Sequence, residues 1–112
     1  MSPAALGQWF KAAATDGAVG EPLLLDVREP AEWQTASVAA SGFETRQMAM
    51  RTVPACIGEL DSAQPIACLC HHGARSQQVA MFLAQHGFLH VANVAGGIDA
   101  WSQQVDPAVP RY

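Results

Sequence analysis

At 112 residues the chain has the length of one ordinary domain, which buries about two-thirds of the surface its unfolded form exposes. Half of the residues are apolar and 14% are charged, a composition that fills a core and excludes a disordered segment. The net charge of −4, with Lys11 as the one lysine and five scattered arginines, leaves no basic stripe for a nucleic-acid backbone.

From the start of the chain, "PAALGQWFKAAA" (3–14) spaces Leu6, Trp9, Phe10 and Ala13 as a helix does, with Ser2 as N-cap and Pro3 at the first helical position. The opening "MSPAALGQWFKAAA" lacks the charged and apolar regions of a leader. "LLLDV" (23–27) is short and wholly apolar up to Asp26, as a strand covered on both faces would be. "EPAEWQ" (29–34) predicts a short helix that begins at a proline. Residues 35–54 predict a loop with a brief extended piece around Gln47 to Met50, and "PACIGELD" (54–61) a further helix. "PIACLC" (65–70) is a second buried strand, placing Cys70 at its end. "SQQVAMFLAQHG" (76–87) follows as a helix with Val79, Ala80, Phe82 and Leu83 inward and Gly87 as its cap. "HVANV" (90–94) predicts a third strand, "AGGIDAWSQQ" (95–104) a glycine turn and last helix, and 105–112 a tail. The longest apolar runs, such as "VAMFLA" at 79–84, are far too short to span a membrane.

Short apolar strands alternating with helices imply one α/β domain over 1–112, with a core of about 4–104 and a mainly parallel sheet joined by right-handed crossovers. Ligands of such sheets bind at the carboxyl ends of the strands, where Asp26 and Cys70 both fall. Trp9, Trp33 and Trp101 read as packing residues.

Three cysteines, Cys56, Cys68 and Cys70, form no disulfide framework, which suits reduced thiols and a cytoplasmic setting. Free cysteine is among the most buried residue types, so each reads first as structural. For Cys56 and Cys68 that reading stands. For Cys70 the following "HHGARS" reverses it. Between a strand end and a helix start these residues must turn sharply at Gly73, so that the loop amides of His71, His72, Gly73, Ala74 and Arg75 curl inward as an anion nest at a helix N-terminus. Such a nest favours a charged sulfur; Arg75 adds a permanent positive charge, and Ser76 caps the helix with its hydroxyl. The row Cys68, Cys70, His71, His72 lacks the pairwise spacing of a zinc site, so no metal is expected.

In these three stretches, "LLLDVREPAEW" (23–33), "CHHGARS" (70–76) and "GGIDAW" (96–101), the chain resembles the single-domain rhodanese-like sulfurtransferases. The resemblance implies a three-layer fold, a central mainly parallel sheet flanked by helices, and a two-step transfer without cofactor. Cys70 would take a sulfane sulfur from thiosulfate or a persulfide, and pass it to cyanide or a thiol. Residues 71–75 would supply backbone donors, Arg75 would stabilise the loop or the anionic donor, and Asp26 and Arg28 would brace the pocket. The related phosphatases and arsenate reductases use Cys-x5-Arg, whereas four residues separate Cys70 from Arg75, a tighter ring that suits sulfur. In "ASVAAS" (36–41) Ser37 stands where the family has a histidine. Histidines at 71 and 72 give a less positive rim than lysine or arginine would, which favours a persulfide over thiosulfate as donor. The contrasting expectation is a non-catalytic module of the same fold that docks a partner. Neither nucleic acid nor membrane is expected as a partner.

Overall fold

The computed structural model describes residues 1–39 and 42–112. Four strands, β1 (Leu23–Asp26), β2 (Glu44–Gln47), β3 (Ile66–Leu69) and β4 (Val91–Asn93), pair in the order β2-β1-β3-β4, all parallel. Among the described residues, five α-helices accompany them: α1 (Leu6–Thr15), α2 (Pro30–Thr35), α3 (Val53–Cys56), α4 (Ala74–Gln85) and α5 (Gly97–Gln104).

Every residue of β1 and β3 is buried, so neither strand alternates in hydrophobicity. The two-residue period instead divides their side chains between two cores. Leu23, Leu25, Ile66 and Cys68 pack with Val53 of α3 and Val79 and Leu83 of α4 on one face. Leu24, Ala67 and Leu69 pack with Leu6 and Phe10 of α1 and Ile98 and Trp101 of α5 on the other. The result is the expected three-layer α/β arrangement. The register Asp26↔Leu69 brings the carboxyl ends of β1 and β3 level. The chain leaves β1 for β2 on one side and then crosses to β3 on the other, so the switch in strand order lies between Asp26 and Cys70.

The structure departs from the sequence expectations at several boundaries. The extended piece forms β2 at Glu44–Gln47, earlier than 47–50; as an edge strand exposed on one face it carries no continuous apolar run. The 54–61 helix is a single turn from Val53, continued as a 3-10 turn over Ile57–Glu59. Ser2 makes no side-chain cap, its carbonyl receiving Ala5 N–H at 3.0 Å instead, so Pro3 opens a 3-10 turn and α1 starts at Leu6. Helix α4 begins at Ala74 behind Gly73, not at Ser76. The tail is packed: Val109 is buried, Ser102 Oγ donates to its carbonyl at 2.6 Å, and Arg111 bonds Asp99 at 2.9 and 3.3 Å. Among the described residues no helix is long and apolar enough to cross a membrane.

Candidate active site

Cys70 follows β3 and is 1% exposed. Its Sγ receives the Gly73 amide at 3.0 Å and faces Ser76 Oγ at 3.2 Å. The return needed to bring residue 73 back onto residue 70 places Gly73 at φ +107°, a conformation L side chains rarely adopt. Helix α4 starts there, so Ala74, Arg75 and Ser76 hold first-turn amides with no partner inside the helix, and the helix dipole adds positive potential at the same end. A sulfur at this position sits against a ready-made anion site.

Ser76 is fully buried in the first turn of α4, and its hydroxyl caps nothing. That hydroxyl lies within hydrogen-bond reach of three acceptors, Cys70 Sγ, the Gly73 carbonyl at 3.3 Å and Asn93 Oδ1 at the end of β4, and has one proton to give. Asn93 Nδ2 in turn donates to the Gly73 carbonyl at 3.1 Å, so β4 pins the loop at its turning point.

The other wall is the start of α5. Ile98 N–H donates to the Cys70 carbonyl at 2.8 Å and Asp99 N–H to the His71 carbonyl at 3.2 Å. This satisfies first-turn amides of α5 and fixes the loop backbone together. The approach requires Gly97: a Cβ there would lie 2.3 Å from the Cys70 carbonyl oxygen and 2.5 Å from that of His71.

Asp26 and Arg28 form a buried ion pair behind α2. Arg28 is fully buried, with Nε and Nη2 on the two Asp26 oxygens at 2.9 and 2.7 Å and further bonds to the carbonyls of Glu32 and Ala36. Burial opposes this charge, but the hydrogen bonds to Asp26 and Tyr112 outweigh it and raise the pKa above its ordinary value. Arg75 grips both oxygens of Glu32 at 2.6 and 2.9 Å. That fork, against some opposing desolvation, holds the Glu32 carboxyl down to about 2 and raises Arg75 above its usual range. Tyr112 joins the two pairs, accepting from Arg28 Nη1 at 2.9 Å and donating to Glu32 Oε2 at 2.7 Å. Desolvation, together with the Glu32 bond, pushes its phenol up to about 12 against the pull of Arg28.

The sequence matches the Rhodanese-like domain family over residues 6–104. The chain belongs to that family. This rhodanese-like chain is similar to a Sulfurtransferase of Allochromatium vinosum, 33% identical over 87 residues that cover 78% of each protein. It is 41% identical over 93 residues, 82% of its length, to the Rhodanese-like/PpiC domain-containing protein 12, chloroplastic, of Arabidopsis thaliana. The chain spans less than a third of the length of the plant relatives it matches. A rhodanese-related protein from Thermoplasma volcanium superposes with a TM-score of 0.75 at 28% identity, covering 100% of this chain and 97% of that one.

Of the residues singled out in the sequence, Cys70, Gly73 and Ser76 meet at the sulfur, while Asp26 and Arg28 stand behind α2 and Arg75 joins them through Glu32. His71 is half-buried and His72 exposed, their rings stacked at 3.9 Å. Sequence reasoning missed Glu32, Asn93 and Tyr112. Glu32 had a signal: "EPAE" is a capping box, with Glu29 N–H on Glu32 Oε1 at 3.0 Å. All three cysteines are free. Burial, reinforced by nearby Cys70, pushes the Cys68 thiol up to about 12, and Cys56 is raised chiefly by its bond to Glu59. Among the described residues no three His, Cys, Asp or Glu side chains group as metal ligands.

Proposed function

We propose that this rhodanese-like domain is a sulfurtransferase in which Cys70 is the nucleophile and carries the sulfur as a persulfide. The observation that carries the reading is the placement of Cys70 Sγ at the N-terminus of α4, 3.0 Å from the Gly73 amide and 3.2 Å from Ser76 Oγ. Donors fixed around a sulfur favour its anionic, nucleophilic form. The family, and relatives named for sulfur transfer, support the same class of chemistry.

In the first half-reaction the Cys70 thiolate attacks the outer sulfur of thiosulfate. A new S–S bond forms on Cys70, the donor's S–S bond breaks, and sulfite leaves with the electron pair. A persulfide donor reacts likewise and releases its thiolate. In the second, cyanide or a thiolate attacks the outer sulfur of the Cys70 persulfide; thiocyanate or a new persulfide departs and the Cys70 thiolate returns. No proton or electron is left over, and no cofactor is required. The loop amides of residues 71–75 cradle the outer sulfur, and the Ser76 hydroxyl follows the charge. Arg75 serves the loop through Glu32, whereas a tetrahedral oxyanion would need a wider ring than the four residues between Cys70 and Arg75 enclose.

Three free thiols suit a cytoplasmic setting, and the partners implied are a small anionic or protein-borne persulfide donor and a thiol acceptor. The test is thiocyanate formation from thiosulfate and cyanide, with a persulfide donor and thiol acceptor as the second pair. Turnover that vanishes in Cys70→Ser supports the assignment. A folded wild type inactive with both pairs leaves the docking module in its place.

A further inference from the structure

Residues 105–112 return from α5 across the site, anchored by buried Val109 and by the Arg111 to Asp99 pair, and they end with the Tyr112 ring on the active loop. That ring stacks on His71 with centroids 3.9 Å apart and planes within 8°. His72 stacks on His71 at the same 3.9 Å, so the two neighbours occupy opposite faces and His71 is the middle of a sandwich. His71 Nε2 is shielded from solvent and has no hydrogen-bond partner among the described residues. The ring's orientation is set by its faces, not by a bond of its own to Nε2. The Tyr112 hydroxyl is fixed separately, between Arg28 and Glu32.

We propose that Tyr112 is a positioning residue: by clamping the His71 imidazole it holds the loop residue next to Cys70 in place, and so holds the loop that seats an anionic sulfur donor. The proposal rests on the sulfur-transfer reading and deepens it by giving the Tyr112 ring a part in holding the donor-binding loop. Clamping acts on recognition, so its loss appears in KM and leaves the chemical step nearly intact.

Steady-state kinetics with thiosulfate as donor and cyanide as acceptor test this on Tyr112→Ala, Tyr112→Phe, His71→Ala and the double variant. Removing the ring by Tyr112→Ala raises the thiosulfate KM about five-fold, the scale of one aromatic stacking contact, with kcat changed less than about two-fold. Tyr112→Phe keeps the ring but loses the hydroxyl's bonds to Arg28 and Glu32, so its KM lies closer to the wild type than to Tyr112→Ala. The double variant is no worse than His71→Ala. In the proton–carbon spectrum the His71 ring signals move in Tyr112→Ala and stay in Tyr112→Phe, a readout independent of turnover. An unchanged KM in Tyr112→Ala, a Phe variant as impaired as Ala, or additive losses in the double variant would overturn the clamp. A wild type that never loads sulfur on Cys70 removes the sulfur-transfer reading itself, and the His71 signals then still report whether the clamp exists.

Discussion

Arg75 and Glu32 are joined by two parallel hydrogen bonds, 2.6 and 2.9 Å, that tie the first turn of α4 to α2. The arginine that the sequence places beside the nucleophile is therefore engaged as a brace. Arg75→Ala and Glu32→Gln should each slow sulfur loading of Cys70 by a similar factor, and the double variant by little more than either. A partly exposed pair of this kind is worth about 1 kcal/mol, so each rate should fall by no more than about ten-fold. An Arg75→Ala enzyme as inactive as Cys70→Ser, beside a normal Glu32→Gln, would place the guanidinium on the substrate instead.

The same pair makes stability depend on acid. Glu32 titrates near 4.5 when unpaired and is held at about 2 in the fold, principally by Arg75. Its contribution is complete above the unpaired value and is lost as the pH falls from there through about 2. Urea midpoints measured down this window should drop more steeply for the wild type than for Glu32→Gln, and parallel curves would exclude the linkage.

Ser76 Oγ lies 3.2 Å from the sulfur and is buried with it. Ser76→Ala removes the hydroxyl that faces Cys70 Sγ, a loss on the order of 2 kcal/mol, or about 30-fold in the rate of loading, and it lowers the melting temperature as well because the Oδ1 of half-buried Asn93 loses its donor. Stopped-flow alkylation of Cys70 by iodoacetamide across a pH series provides the check; an unaltered profile would separate the hydroxyl from the thiolate.

The glycines around the loop divide sharply. Gly97→Ala puts a methyl group 2.3 Å from the Cys70 carbonyl at φ +60°, and Gly73→Val adds bulk at φ +107° where a Cβ already lies 3.1 Å from Gly96 N. Each should cost on the order of 1–3 kcal/mol and abolish loading by displacing the loop. Gly7→Ala in α1, with nothing within 4 Å of the added methyl, should instead stabilise by about 0.5–1 kcal/mol. Thermal unfolding of the three variants tests the contrast.

The parts of this fold that were legible in the sequence are those whose chemistry is local. "LLLDV" and "PIACLC" announce doubly covered strands because both faces need apolar side chains, and "CHHGARS" announces a strand-to-helix turn because Gly73 permits one. The edge strand β2 is hard to place from sequence because its positions carry polar residues. A hydroxyl near a helix start usually caps it, but Ser76 stands at N3, where its side chain turns inward to the sulfur. Asn93 and Tyr112 act on residues 20 and 84 positions away, through hydrogen bonds to Gly73 and Arg28, and no local pattern reports such distances. The segment "GGIDAW" occupied a middle ground: it marked the family, but only the carbonyls of Cys70 and His71 against Gly97 explain why glycine stands there.

The central claim is that Cys70 carries the sulfur. Intact mass and peptide mapping after incubation with thiosulfate or a persulfide donor, and again after cyanide, test it on the wild type and Cys70→Ser. The account requires one added sulfur, located on Cys70, removed by cyanide and absent from a folded Cys70→Ser. A wild type that gains no sulfur from either donor, or gains it on Cys56 or Cys68, would contradict it.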